Sequence, residues 1–213
     1  MTLLDSKIFR HLTVVIIFLM ILFFNFETKG QGIKAKYDTL SKTVLIHPVI
    51  KTGENEILLS FGHEYKDHLE LGDQLAHDYV VVLDNGEGEA IEYQNEGKEN
   101  KDYISWRKKV MAPVTGTVIL INHPTETNKP GVMNRDAEPG RIYIKNDRGI
   151  IVSLVHVCEI NVKKGQQVKA GDVVARVGNN GNSTGPHIHV GAWKNGKPYQ
   201  PVIDLYAEQR YGH

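Results

Sequence analysis

Residues 179–190 read Asn-Asn-Gly-Asn-Ser-Thr-Gly-Pro-His-Ile-His-Val. A bend-rich segment here runs into an alternating one. Gly181 and Gly185 permit the bends, and Pro186 fixes the backbone at the entry to the alternating part. In an extended strand every second side chain shares a face, so His187 and His189 point the same way. Two imidazoles on one face make half of a metal site, one able to bind the ion and the other to move a proton beside it. A strand with two exposed histidines has the same pattern. The rest of the chain must decide between the two.

Upstream of this stretch the chain reads as short strands separated by turns. Residues 162–178 are punctuated by glycine, with Gly165, Gly171 and Gly178 each closing one short apolar run. Residues 141–145 and 149–157 form a hairpin pattern around Asn146-Asp147-Arg148-Gly149, with His156 near the end of its second arm. Residues 111–121 read as a strand interrupted at Gly116. The stretch 122–140 is rich in proline, glycine and asparagine and predicts a long loop; such loops are usually functional or mobile. Residues 94–102 are charged and predict an exposed insertion. Tyr79-Val80-Val81-Val82-Leu83 is an apolar strand, and Val44-Leu45-Ile46 and Ile57-Leu58-Leu59 are shorter ones. No segment after residue 31 sustains a helical period. The expected fold is therefore all-β, built of short antiparallel strands.

Composition narrows the function. The 213 residues are 41% hydrophobic with a formal net charge of +0, so no basic surplus points to nucleic acid. Cys158 is the one cysteine, which excludes an internal disulfide and a cysteine-based zinc finger. Any metal site must use His, Asp or Glu. Lys7, Arg10 and His11 precede the apolar run 12–24, and small or polar residues follow it. That is the pattern of a signal peptide over residues 1–31, cleaved near 30–32, or of an uncleaved signal anchor. Either form exports the remainder, to the periplasm or the cell exterior.

The segments form an ordered set: Ala112-Pro113-Val114-Thr115-Gly116-Thr117-Val118, then Ser153-Leu154-Val155-His156-Val157, then Val168-Lys169-Ala170-Gly171-Asp172-Val173, then residues 178–189. This set resembles the lysostaphin/LytM-type zinc metallopeptidases. The resemblance is strong from Met111 to Trp193, loose over residues 61–83 and absent before that. It implies a duplicated hybrid motif fold of antiparallel sheets, with a metallopeptidase domain over 32–213 and its core at 57–195.

The resemblance also implies a Zn2+ site. His189 corresponds to the third zinc ligand, and His156 and His187 to the two histidines beside the metal that carry the proton chemistry. The upstream ligand pair departs from the family's form, a His-x-x-x-Asp followed directly by an apolar strand. His63 and Asp67 have that spacing, but a polar segment follows them. Asp78 stands directly before the strand at Tyr79, where the family's Asp belongs, and pairs with His68 if the gap is longer. His68 with Asp78 is the first choice and His63 with Asp67 the alternative. His77 alternates with Asp78 along a strand and is expected on the opposite face.

The implied activity is hydrolysis of peptide bonds in bacterial peptidoglycan, or another extracellular peptide, through a metal-activated water. A non-catalytic wall-binding or regulatory protein with a degenerate metal site is the competing reading. The retention of His156, His187 and His189 favours the enzyme. The glycine-punctuated stretch also resembles biotinyl or lipoyl carrier domains, but no attachment lysine sits in a suitable turn.

Overall fold

A computed structural model describes residues 42–63 and 70–207. The chain divides into Met1–Asp38 and Thr39–His213; the expected signal segment, residues 1–31, lies outside the described residues. No helix among the described residues is long and apolar enough to cross a membrane.

Strands dominate, as the lack of a helical period requires. They are β1 (Thr43–Ile46), β2 (Glu56–Gly62), β3 (His77–Asp84), β4 (Ala90–Ile91), β5 (Lys109–Met111), β6 (Gly116–Asn122), β7 (Arg141–Lys145), β8 (Ile151–Val155), β9 (Val157–Cys158), β10 (Gln167–Val168), β11 (Val173–Val177), β12 (Ile188–Lys194) and β13 (Lys197–Ile203). The larger sheet runs β1-β13-β12-β8-β7-β6-β10, with β2, β3 and β4 attached through β12. A smaller sheet runs β5-β11-β9.

β12 is the hub. Along one edge it pairs with β8 from His189 to Trp193. Its other edge is shared, with β3 taking residues 188–190 and β13 taking 192–194. Ile188, Val190 and Ala192 are fully buried in the apolar core with Val81, Ile142, Ile144, Val152 and Leu154. His189, Gly191 and Trp193 alternate with them and so line the opposite face. The period-two pattern that suggested a strand is thus also what turns the histidine outward.

Two expectations change in detail. The sheets are not wholly antiparallel, because β1 pairs with β13 in parallel. The predicted exposed insertion at 94–102 is exposed over most of its length but ends in a short 3-10 turn, Asn100–Asp102, where Asp102 is buried. The Asp102 carboxylate accepts the Glu99 backbone N–H at 3.0 Å, which satisfies a donor the turn would leave open.

Candidate metal centre

Strand register builds the centre. On β3 and β12, Asp78 stands directly opposite His189, so both side chains leave the same face. Phe61 of β2 is the partner of Asp78 on the other side. His63 lies two residues beyond Phe61 and returns to that face, held by its backbone N–H donating to Ala76 O at 2.8 Å. His63 Nε2 is 3.2 Å from Asp78 Oδ2, and His189 Nδ1 is 3.0 Å from Asp78 Oδ1. One ligand atom from each of the three residues lies within 4.8 Å of the others.

The outward nitrogens fix the tautomers. His189 Nε2 is 3.1 Å from Gly72 O, and a carbonyl can only accept, so Nε2 carries the proton. His63 Nδ1 is 2.9 Å from Asp73 Oδ1 and donates to that carboxylate. The inner nitrogens of both neutral rings therefore present lone pairs to the Asp78 carboxylate, itself only an acceptor. Three acceptors converge, and a cation is what reconciles them. Ligands about 2 Å from a tetrahedral zinc stand roughly 3.3 Å apart, close to the two distances to Asp78. Outward N–H groups tied to a carboxylate and a carbonyl are the usual support for histidine ligands. The donor set fits zinc.

Electrostatics keep Asp78 ionised. Burial acts to raise the Asp78 pKa, but the facing His189 and His63 rings outweigh it and hold the carboxyl far below its usual range. The His63 pKa is raised, chiefly through its contact with Asp78, so a proton and a cation compete for the lone pair on Nε2.

His156 and His187 face this group. Their rings lie tilted by 50° with centroids 4.6 Å apart, and His156 lies 6.3 Å from His189. His156 Nδ1–H donates to Asn180 O at 2.8 Å, and His187 Nδ1–H donates to Gly185 O at 2.9 Å. Each ring keeps a lone pair on Nε2, and that of His187 is 3.8 Å from Asp78 Oδ1. Burial lowers both pKa values, that of His156 markedly, so both are neutral bases near pH 7. His156 does not close a regular strand. It sits between β8 and β9 with φ +66°, a left-handed backbone conformation that costs free energy in a residue other than glycine.

The structure thus gathers His63, Asp78, His156, His187 and His189 around one groove. His63 and Asp78 come one from each of the two expected upstream pairs. His68 and Asp67, the other members, lie outside the described residues. His77 turns to the far face, as alternation requires, with Nδ1 2.8 Å from Ser60 Oγ.

Several contributors escaped sequence reasoning. Asp73 and Gly72 orient the histidines. Asn180, almost fully buried, accepts Gly140 N–H through Oδ1 and donates through Nδ2 to His156 O and Val157 O. Asn128 donates to Gly181 O and Ser183 O, both at 2.8 Å. The loop 122–140 is therefore pinned to the histidine-bearing loop. The one signal that could have exposed the support from Gly72 and Asp73 was Gly191, since glycine inside an apolar strand often marks a close backbone approach.

Residues 103–201 match peptidase family M23. That segment is an M23 peptidase domain. The peptidoglycan DD-endopeptidase ShyA of Vibrio cholerae is 32% identical over 96 residues, covering 42% of this chain and 22% of that protein. The DD-carboxypeptidase/endopeptidase Mpg of Neisseria meningitidis is 31% identical over 83 residues, covering 37% of this chain and 19% of that protein. This chain therefore spans about a fifth of the length of these relatives. The catalytic domain of lysostaphin from Staphylococcus simulans aligns with a TM-score of 0.41 at 18% identity, covering 68% of this chain and 87% of that one. The M23 match takes in His156, His187 and His189 but begins after His63 and Asp78.

Proposed function

We propose that this chain is an exported zinc metallopeptidase, its domain spanning residues 32–213, that hydrolyses peptide bonds of bacterial peptidoglycan. The observation that carries the reading is the pairing of Asp78 with His189 across β3 and β12, with His63 closing the third side. The M23 match supports the reaction class, and the names of the two relatives support peptidoglycan as substrate. The apolar run at residues 12–24 supports export.

His63 Nε2, Asp78 and His189 Nδ1 would hold the metal. A zinc ion bound there supplies a Lewis acid that polarises a carbonyl and acidifies water. The remaining work belongs to the chain. Asp73 and Gly72 hold the ligand rings in the required tautomers. Of the two Nε2 lone pairs on His156 and His187, one accepts a proton from the attacking water. The imidazolium so formed then gives that same proton to the leaving amine by way of the second histidine, whose ring centroid is 4.6 Å away. The carbonyls of Asn180 and Gly185 keep both bases correctly oriented.

The test is to incubate the zinc-reconstituted protein with purified peptidoglycan and analyse soluble fragments by mass spectrometry. New amine termini that vanish on chelation are expected. Zinc-free purified protein that binds peptidoglycan without cutting it would instead support the wall-binding reading.

A further inference from the structure

The groove floor is laid out by register. His189 of β12, Val155 of β8 and Arg141 of β7 stand opposite one another in neighbouring strands, so their side chains project from one face. Adjacent strands are about 4.8 Å apart, which places the Arg141 backbone about 10 Å from that of His189. The groove's described lining carries Glu70, Asp73 and Asp78 on the histidine side, and Arg141 is the one Lys or Arg among the described lining residues. The site is therefore polarised across the sheet, acidic at the metal end and cationic two strands away. Arg141 meets Glu138 at 3.5 Å through one terminal nitrogen, and the Glu138 side chain is 62% exposed. A solvated contact at that distance is easily exchanged, whereas a carboxylate in the groove can engage the guanidinium fork with two parallel hydrogen bonds.

We propose that Arg141 is a specificity-determining residue that selects peptides carrying a free carboxylate within about three residues of the scissile bond, the reach of an extended chain over that span. The proposal rests on the peptidase reading of the site.

The test compares acetyl-lysyl-D-alanyl-D-alanine with its C-terminal amide in titrations of the zinc-loaded full chain, kept short relative to hydrolysis. The free acid is expected to bind about tenfold tighter than the amide, as one charge-assisted pair allows. The ratio should fall to about one in Arg141→Gln and be partly retained in Arg141→Lys, which keeps the charge and loses the fork. Equal affinities in the unmutated chain overturn the proposal. So does a preference that survives Arg141→Gln, because it then belongs to the metal. Cleavage of the same peptides is read separately. Carboxylate preference without cleavage keeps the role of Arg141 and removes the peptidase reading; cleavage without preference does the reverse.

Discussion

A Cβ on Gly191 would overlap the carbonyl oxygen of Gly72. The bare backbone of β12 at Gly191 is what allows the turn at residues 72–73 to settle on the strand. That turn delivers Gly72 O to His189 and Asp73 to His63. Gly72 itself has φ +94° and lies against the Trp193 ring, so the turn is packed as well as bonded. Gly191→Ala is expected to lower zinc affinity about 10- to 100-fold, the usual cost of losing outer support to metal ligands. It should also cost about 1–3 kcal/mol of stability through overpacking. Zinc titration and thermal unfolding measure the two. Unchanged zinc affinity would remove the turn from the site.

His63→Ala and Asp78→Ala are expected to abolish stoichiometric zinc in purified protein, and His68→Ala and Asp67→Ala to leave it intact. Elemental analysis of the four variants decides which upstream pair binds. Retention of zinc in His63→Ala with loss in His68→Ala would reassign the ligand. Chelation of the unmutated chain should lower its melting temperature, since zinc at about a hundred times its Kd contributes roughly 2.7 kcal/mol.

His156→Ala and His187→Ala should keep zinc and lose about 10²- to 10⁴-fold in kcat, the range for one proton-transferring group. Zinc loss in either would mean that it ligates the metal. Asn180→Ala acts a step further back. It removes one hydrogen bond each from Gly140 N–H, His156 O and Val157 O in a buried setting, with Gly178 N–H still donating to His156 O, and should destabilise the chain by about 2–3 kcal/mol.

Glu56 lies between the Lys108 ammonium, 2.7 Å away, and the Gly53 backbone N–H at 2.6 Å. Burial acts to raise its pKa, but the hydrogen bond from Lys108, with the Gly53 N–H beside it, outweighs burial and holds the carboxyl below its usual range. A carboxylate with a lowered folded pKa stabilises the fold above its unfolded value near 4.5, and that stability is lost as pH falls through the folded value. Glu56→Gln should cost about 1.5–3 kcal/mol at pH 7 and flatten the acid limb of the stability curve. Denaturant unfolding from pH 7 to pH 3 tests this. An acid limb of unchanged slope would exclude the pair as its source.

Cys158 is half-buried, its thiol 3.4 Å from Val177 O and pushed up to about 11 by burial with Glu159 beside it. Alkylation by iodoacetamide at pH 8 should be slow in the folded chain and fast in denaturant. Fast native labelling would mean that β9 opens readily.

Legibility in the sequence followed locality. Strand alternation at Ile188-His189-Val190 was readable because its period depends only on neighbours. The hairpin of β7 and β8 was readable from its turn residues. The parallel pairing of β1 with β13 was not, because strands some 150 residues apart carry no local mark of their pairing. The anchoring of the loop 122–140 by Asn128 and Asn180 was likewise hidden. A buried asparagine and an exposed turn asparagine look alike until the partner backbone arrives.

The sequence by itself determined the all-β character, the M23 resemblance from Met111 onward, and the place of His156, His187 and His189 in it. Each of these rests on short-range patterning or on an ordered series of motifs. Only the tertiary structure brought His63 together with Asp78, since the interval between them has no period and ends in a turn. That pairing follows from the register of β2 on β3, across an interval of 15 residues, and β12 adds His189 from 111 residues away. The same register set Arg141 on the floor beside them.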